Sequence, residues 1–527
     1  MSTQLSGNDA SWNDTHADGA TASRWERFEA LIERAGERLN PILVKEARQA
    51  LKSNQFLITF TLLLACGWGW SLLGVMLRMP EIQWLPSGSE MMTGYFLVLI
   101  VPMFIIVPFA AFRSLAAERE DGTFELMSIT NLTARQIVVG KLCSSVLQMM
   151  VYYSALSPCI AFTYLLRGID VITICFILYY TLVISVMLSI FGLLVATLTR
   201  ARHWQVLLSV VLIVVLFIVT WIWAAFTLEA VLWRGSLFRM QSMEFWLVQA
   251  VLLTVYGSFA VLGVQAAAAR ITFASDNRST AMRITILVQF AMYAGWWLGL
   301  MTMDDQRLET EGLSICVMMA SLYAGVVGAL LIGESPQLSP RVIRTLPVSV
   351  LGRIARAAYS PGSGTGYVFI VGNLLGLFAS ICSVGLYYAL SDGLRGMLGS
   401  STSWFWCGWL SCCYVAAYLG VVRLMVVALR RVANVTLALS LLLCVLAVTA
   451  GSAIPLIGNG MLVGFMSIEY SFLQVTNCFW TLTHAVTHDM WESYPEVVIT
   501  VTLGATIIGL VNLGLTSREM LQGERLV

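Results

Sequence analysis

Residues 172–198 read ITICFILYYTLVISVMLSIFGLLVATL and contain no charged side chain. An apolar run of about 20 residues is long enough to cross the hydrocarbon core of a bilayer as a helix. Hydrocarbon offers the backbone no hydrogen-bond partner, so such a run favours a helix, which pairs its own N–H and C=O groups. The stretch therefore predicts a membrane-spanning helix.

Apolar blocks of similar length recur along the whole chain. Hydrophobic residues make up 58% of the sequence and charged residues 12%, whereas soluble domains carry about 25% charged residues. We expect an all-α, polytopic helical membrane protein with about twelve transmembrane helices. Their approximate positions are 57–77, 91–111, 142–165, 172–198, 205–227, 246–267, 284–303, 313–332, 367–390, 403–422, 432–457 and 496–515.

The segment 462–487 is also apolar, but Glu469 and several other polar residues interrupt it. We expect it to be re-entrant or to lie at the membrane interface. His484 and His488, near its end, would share one helix face, with Asp489 and Glu492 close by. Such a group could hold a zinc ion, or it could be a set of surface polar residues, and the sequence leaves both interpretations open.

The distribution of Lys and Arg predicts the orientation, because loops rich in these residues stay in the cytoplasm. With the N-terminus inside, 25 of the 31 Lys and Arg fall on the cytoplasmic side. Twelve spans then place both termini in the cytoplasm. The six basic residues on the opposite side are Arg78, Arg167, Arg234, Arg239, Arg307 and Arg395.

The chain before the first span divides into two parts. Residues 1–21 are polar and predict a disordered cytoplasmic tail, whereas 22–56 predict amphipathic or elbow helices. An apolar stripe at helical spacing supports an amphipathic helix on the inner leaflet. This helix could be a simple charged anchor or the elbow helix of a transporter. The stripe consists of Trp25, Phe28, Ile32, Ala35 and Leu39.

The loop after the second span, residues 112–141, contains several local structure signals. Its centre reads EREDGTFEL (118–126), in which the Asp-Gly pair is a turn signal. Thr133 and Gln136 have the spacing of a capping box, so we expect the third helix to start at Thr133, before the membrane. The loop is therefore predicted to be structured.

These residues resemble the permease subunits of ABC-2 type transporters. The likeness lies in Glu-Arg-Glu-x-Gly-Thr-x-Glu-Leu, followed by a polar turn and by Ile-Val-x-Gly-Lys. The stretch NPILVKEARQ (40–49) is similar to the elbow of the same permeases. The resemblance covers about 40–270.

The resemblance implies a multi-pass protein of the bacterial plasma or inner membrane. It also implies an elbow helix containing Pro41, Lys45, Glu46 and Arg48. In such permeases the loop after span two carries a coupling helix that docks on a cytosolic ATPase. The corresponding contact residues here are Glu118, Arg119, Glu120, Gly122, Thr123, Glu125 and Leu126.

The second half of the chain predicts a degenerate copy of the first. Glu118 and Glu334 are 216 residues apart, as are Thr133 and Ser349. We expect a first six-span unit at 57–270 and a second at 271–527, as two parallel six-helix halves. The second loop lacks the Glu-Arg-Glu-x-Gly-Thr core, so whether it binds an ATPase stays open.

The sequence contains no Walker A motif, since Gly140-Lys141 is followed by Leu142 and lacks the upstream glycine. We therefore expect no enzyme activity and no cofactor in this chain, with ATP and Mg²⁺ held by a partner subunit. Spans one to four carry no charge, whereas ion-coupled carriers use ionisable groups inside the membrane. The net charge of +1 favours no nucleic-acid partner.

The favoured function is the membrane permease of an ATP-driven exporter. Its expected partners are one or two cytosolic ABC ATPase subunits, the lipid bilayer, and a second copy or second permease chain. Three alternatives stay open: an ion-coupled secondary carrier, a membrane-embedded enzyme and a non-transporting membrane scaffold.

Overall fold

The computed structural model describes residues 41–80, 84–120, 132–198, 202–233, 242–273, 276–303, 310–334, 359–391, 403–432, 435–463 and 470–525. These residues are 89% helical and contain no strand, which confirms the all-α fold class. The predicted tail 1–21 and the elbow segment before Pro41 lie outside them.

Fifteen helices are assigned within the described ranges. They are α1 (Pro41–Leu51), α2 (Asn54–Arg78), α3 (Gly88–Glu120), α4 (Ala134–Leu165), α5 (Val171–Ala196), α6 (Arg202–Trp233), α7 (Met243–Ile271), α8 (Thr280–Met303), α9 (Thr310–Ile332), α10 (Ser363–Ser391), α11 (Ser403–Leu429), α12 (Leu437–Val463), α13 (Cys478–Thr487), α14 (Met490–Ser493) and α15 (Pro495–Arg525).

Eleven helices of the described chain are long and apolar enough to cross a membrane. They are α2 to α7, α9 to α12 and α15. The predicted span 284–303 is also a helix, α8, but it is not among the eleven. Its described side chains end at Gly299, and over this shorter stretch Arg283 and Gln289 lower the hydropathy.

Helix α3 is the buried centre of the first group of helices, with Met92, Tyr95 and Leu99 fully buried. A π-helical turn, Pro102–Ile106, interrupts it. Proline has no N–H to donate, and widened turns of this kind leave carbonyls to be satisfied elsewhere. The hydroxyl of Ser185 on α5 donates to the Met103 carbonyl in this turn.

Small residues bring α5 close to α3. Ser185, Ser189 and Gly192 are buried and lie four and three residues apart along α5. A Cβ atom added at Gly192 would lie 2.7 Å from the Pro108 carbonyl oxygen of α3. Small residues allow such close backbone approach between membrane helices, where van der Waals packing replaces the hydrophobic effect.

We expect Gly192→Ala to lower the free energy of unfolding by roughly 1–3 kcal/mol, because the new methyl group overpacks against a backbone carbonyl. Thermal unfolding in detergent measures this. Gly257→Ala on α7 is the matched control, since its Cβ would meet no atom within 4 Å, and it should be neutral or slightly stabilising. Equal stability of the two variants would contradict the close α3–α5 contact.

Helix contacts separate the chain into two groups. In the first, α3 packs against α2, α4, α5 and α6, and α5 also contacts α4, α6 and α7. In the second, α9 packs against α10, α11 and α12, and α11 also contacts α10, α12 and α15. The buried apolar residues follow the same division, with one cluster ending at Ala268 and the next beginning at Ile286.

Polar side chains join the two groups along α7 and α8. The Thr285 hydroxyl donates to Gln265 Oε1 at 2.9 Å, and the Trp296 indole N–H donates to Thr254 Oγ1 at 2.9 Å. Between them, Gln289 Nε2 donates to Ser258 Oγ at 3.3 Å. Such hydrogen bonds hold membrane helices together because lipid offers these groups no alternative partner.

The segment predicted to be re-entrant or interfacial contains a 3₁₀ turn, Phe472–Gln474, and the short helix α13. Residues 464–469 lie outside the described part. Helix α13 packs against α11 and α12. Its ten residues rise about 15 Å, half the thickness of the hydrocarbon core. It is therefore too short to span a membrane.

Candidate functional site: a buried ion-pair cluster joining α1, α3 and α4

The first element of the site is α1, which begins at Pro41 and packs along α4. Proline suits a first helical position because its fixed φ is helical and its missing N–H would be unpaired there. Ile42 is buried, whereas Lys45 and Arg48 are exposed. Helix α1 is thus amphipathic and directs Glu46 towards α4.

The second element is the start of α4, where the predicted capping box is confirmed. The Gln136 backbone N–H donates to Thr133 Oγ1 at 3.3 Å, and the Thr133 N–H donates to Gln136 Oε1 at 2.9 Å. These bonds satisfy N–H groups that the first helical turn leaves unpaired. They fix the helix start two turns before Lys141.

Lys141 is the centre of the site, and its side chain is 1% exposed. Its Nζ lies 3.0 Å from Glu46 Oε1 of α1 and 3.0 Å from Glu118 Oε2 of α3. It also donates to the Ser114 carbonyl at 3.4 Å. Lys45 Nζ lies 3.8 Å from Glu118 Oε1 at the exposed edge. We call Lys45, Glu46, Glu118 and Lys141 the α1–α3–α4 cluster.

The electrostatics of this cluster are balanced. An ammonium group has three protons to donate, and Lys141 meets two carboxylates and one carbonyl. Two lysines and two glutamates together carry no net charge. Because an unpaired charge is expensive to bury, the three helices are held where these partners meet.

Arg119, next to Glu118, extends the connection to α5. Its Nη1 donates to the Ala196 carbonyl at the end of α5, at 3.2 Å. Just after the same end of α5, the Leu198 carbonyl accepts a hydrogen bond from Arg270 of α7 at 3.4 Å. The last turn of α3 is therefore tied to α1, α4 and α5 at once.

The structure brings together Lys45, Glu46 and Glu118 of the predicted elbow and coupling residues, with Arg119 beside them. Arg48 and Glu120 are exposed, and Glu120 ends α3. The remaining predicted coupling residues lie in 121–131, outside the described residues: Gly122, Thr123, Glu125 and Leu126.

Sequence reasoning missed the role of Lys141. It is one of three lysines in the chain, and it lies at the edge of a block that is otherwise uncharged. A lone lysine at a span boundary could have indicated a buried partner. The identity of that partner could not be inferred, since Glu46 is 95 residues away along the chain.

A similar arrangement surrounds Glu334 at the end of α9. Arg283 of α8 is fully buried, and its Nη2 lies 2.6 Å from Glu334 Oε2. The Ser279 hydroxyl and the Gly362 N–H also donate to this carboxylate, at 2.6 Å and 3.1 Å. Arg283 further donates to Thr365 Oγ1 of α10 at 3.0 Å. We call Ser279, Arg283, Glu334, Gly362 and Thr365 the α8–α9–α10 cluster.

A third buried cation, Arg423 of α11, faces α15. Its Nη2 lies 3.0 Å from Glu519 Oε2, and its Nη1 donates to the Asn512 carbonyl at 2.7 Å. Arg430, immediately after the end of α11, donates to the Gly333 carbonyl at 3.1 Å. Ionic contacts therefore join the ends of the helices in the second group as well.

The histidine pair near α13 is a packed aromatic group. The rings of His484 and His488 lie 4.2 Å apart, and Tyr470 lies 4.5 Å from His484. Within the described ranges, no group of three or more His, Cys, Asp or Glu is placed to hold a metal ion. The geometry gives a zinc site here no support.

Burial lowers the pKa of His484, and the neighbouring His488 lowers it further. The folded protein therefore favours neutral His484. Its contribution to the free energy of unfolding is fully present above the unfolded pKa, about 6.5, and is lost as pH falls through the lower pKa of the folded state. We expect the melting temperature to fall between pH 7.5 and 5.5, and to fall less in His484→Gln. Identical pH dependence of the two proteins would contradict this assignment.

Comparisons with protein-family models, with curated proteins and with solved structures find no match to this chain. Its class follows from the fold itself. Its eleven long apolar helices in the described ranges are typical of a multi-pass helical membrane protein.

Proposed function

We propose that this chain is the membrane permease subunit of an ATP-driven exporter of the ABC-2 type. A separate cytosolic ATPase holds ATP and Mg²⁺, and this chain is not itself an enzyme. The observation that carries the proposal is the α1–α3–α4 cluster, because it joins the elbow helix to both helices that flank the loop 121–131.

The cluster provides a route for mechanical coupling. Force on the loop acts on the end of α3, which carries Glu118, and on the start of α4, which carries Lys141. These two side chains form an ion pair, and Lys141 also donates to Glu46 of α1. The three helices therefore move together when a partner moves the loop, which is what a coupling element requires.

Matching helix contacts support two parallel six-helix halves. The pairs α3–α5, α3–α4, α3–α6, α2–α4 and α5–α7 have counterparts in α9–α11, α9–α10, α9–α12, α8–α10 and α11–α15. In both halves a glutamate at the end of the second helix, Glu118 or Glu334, meets a buried cation. In this arrangement α8 is the seventh span.

The polar residues of α8 are compatible with a span, because they find partners inside the protein. Arg283 belongs to the α8–α9–α10 cluster, and Gln289 bonds Ser258 of α7 and accepts from the Tyr323 hydroxyl of α9. Polar groups in membrane helices are tolerated when they face the bundle interior. With twelve spans both termini would lie on one side of the membrane, and the distribution of Lys and Arg favours the cytoplasm of a bacterial inner-membrane protein.

The test is co-purification of the tagged chain from its native membrane. We expect an ATPase that contains a Walker A motif to be recovered with the wild type. Glu120→Lys should reduce its recovery, because Glu120 is exposed beside the loop and outside the ion-pair cluster. Glu118→Lys is less suitable, since it would place a second cation against Lys141 and disturb folding.

Glu492→Lys is the matched control. Glu492 is an exposed acid on α14, on the non-cytoplasmic side in the proposed topology, so this variant should keep the ATPase bound. Gly122→Pro, which changes the predicted contact loop itself, should reduce ATPase recovery or uncouple ATP hydrolysis from transport. Recovery of the wild type without any ATPase contradicts the proposal. Transport by the purified protein under an ion gradient alone would instead identify a secondary carrier. Purified protein with neither ATP-driven nor gradient-driven transport would identify a scaffold.

A further inference from the structure

A groove of about 440 Å³ lies between α8 and α10. Both helices are part of the proposed bundle, and the groove is open along the α10 face where Gly372 and Gly376 are exposed. Its lining is apolar for the most part. The main wall residues are Leu287, Phe290, Ala294, Phe369, Gly372 and Leu377.

The groove starts above a closed base. At the base, the Thr280 hydroxyl donates to the Tyr359 carbonyl at 2.7 Å, and the Arg283 guanidinium lies 5.9 Å from the centre of the Phe369 ring. The α8 wall lies 7 to 14 residues beyond the start of this helix, which is about 10–21 Å along its axis. With α8 as the proposed seventh span, this depth lies within the hydrocarbon core.

The counterpart seam in the first half, between α2 and α4, is filled. The Phe56 and Tyr152 rings lie 5.5 Å apart, and the Tyr152 hydroxyl bonds Thr59 Oγ1 at 2.7 Å. Further along, a Cβ atom at Gly67 would lie 2.7 Å from Leu156 Cδ2. At Gly372 and Gly376 of α10, by contrast, a Cβ atom would meet nothing within 4 Å.

Two polar side chains of the groove donate to the backbone of their own helix, α10. The Asn373 amide donates to the Phe369 carbonyl at 2.7 Å, and the Ser380 hydroxyl donates to the Leu377 carbonyl at 2.7 Å. The charge of Arg283 beneath the groove is balanced by Glu334. The lining therefore favours a hydrocarbon ligand over a polar one.

We propose that this groove binds one acyl chain of a membrane phospholipid. Its volume lies in the range of small-ligand pockets, about 300–1,000 Å³. A packed helix of three turns, about 10 Å across and about 16 Å long, occupies on the order of 1,000 Å³ and does not fit within it. An acyl chain, which is narrow and flexible, enters from the bilayer through the opening beside Gly372 and Gly376.

The spacing of these glycines, Gly-x-x-x-Gly, also occurs at helix–helix interfaces in membranes. A second copy of the chain is therefore the competing occupant. The groove is a recess with aromatic walls, Phe290 and Phe369, that are 5% and 4% exposed, whereas a Gly-x-x-x-Gly dimer requires the two helix backbones to approach closely. Lipid binding does not depend on an ATPase, so the site can be tested alone.

The experiment uses the purified full-length chain in phosphatidylethanolamine–phosphatidylglycerol vesicles that contain a phosphatidylcholine with a photoactivatable diazirine on one acyl chain. Crosslinked residues are identified by mass spectrometry. We expect crosslinks to concentrate on the groove walls of α8 and α10. Gly376→Phe should reduce them on the order of tenfold, the effect of displacing about two buried methylene groups.

Ala291→Phe, which fills the groove from the α8 wall, should give the same loss and keeps the test valid if Gly376→Phe fails to fold. Gly458→Phe is the matched control, because Gly458 is exposed on α12 and its Cβ would meet no atom within 4 Å. Crosslinks spread evenly over all exposed helix faces overturn the proposal. The proposal is also overturned if the wild type is a dimer and Gly376→Phe dissociates it, because a second copy of the chain then occupies this face.

Discussion

Lys141→Met is expected to lower the free energy of unfolding by about 3–5 kcal/mol, the usual effect of removing one partner of a buried ion pair. Methionine fills a similar volume, so the loss comes from charge rather than from a cavity. Without the ammonium group, Glu46 and Glu118, 12% and 16% exposed, are left without their shared cation. The carboxylates of Glu46 and Glu118 then repel each other where little solvent can screen them.

Thermal and denaturant unfolding in one detergent measure this effect. Arg78→Met is the matched control, because Arg78 and Glu90 form an ion pair with exposed fractions of 37% and 47%. Solvent screens such a pair, so this variant should lose less than about 1 kcal/mol. If both variants lose the same amount, Lys141 is not the buried centre of the cluster.

A double-mutant cycle separates the two carboxylates. Adding Glu118→Gln to Lys141→Met removes one uncompensated charge, so we expect the double variant to be more stable than Lys141→Met alone. Glu118→Gln by itself should be destabilising, since it leaves Lys141 with Glu46 only. Additive effects would indicate that the two groups do not interact.

Arg283→Met is expected to lower the free energy of unfolding by a similar amount, about 3–5 kcal/mol. Arg283 is fully buried and bonds Ser279, Glu334, Gly362 and Thr365. Its loss leaves the Glu334 carboxylate without a cation and removes the contact that holds the base of α8 against α10. The same unfolding measurements apply.

Arg283→Lys is the control for charge. Lysine restores the positive charge but not the planar fork that reaches several acceptors. We therefore expect it to recover only part of the lost stability. Full recovery would show that charge alone matters, and no destabilisation in Arg283→Met would contradict the cluster altogether.

Substitutions in the two clusters are expected to affect different functions, because only the α1–α3–α4 cluster flanks the loop 121–131. The α1–α3–α4 cluster flanks the segment that is proposed to meet an ATPase, so a partly folded Lys141→Met should also lose coupling. The α8–α9–α10 cluster lies below the lipid groove and closes its base. Substitutions in this cluster should therefore change acyl-chain crosslinking more than they change ATPase recovery.

Some features of this protein were determined by the sequence alone. The all-α class followed from long uncharged runs such as 172–198, because hydrocarbon leaves the backbone no partner outside the helix. The start of α4 followed from Thr133 and Gln136, since a capping box is made by residues three apart. Both signals are local, so no knowledge of the rest of the fold was needed.

Other features were decided only by the tertiary structure. Lys141 meets Glu46 across 95 residues and Glu118 from another helix, and no spacing in the sequence encodes which helices become neighbours. Helix α8 carries Arg283 and Gln289 within an apolar sequence, and only the tertiary structure shows their partners on α7, α9 and α10. The groove beside Gly372 is formed by α8 and α10 together, and such a gap depends on how whole helices pack.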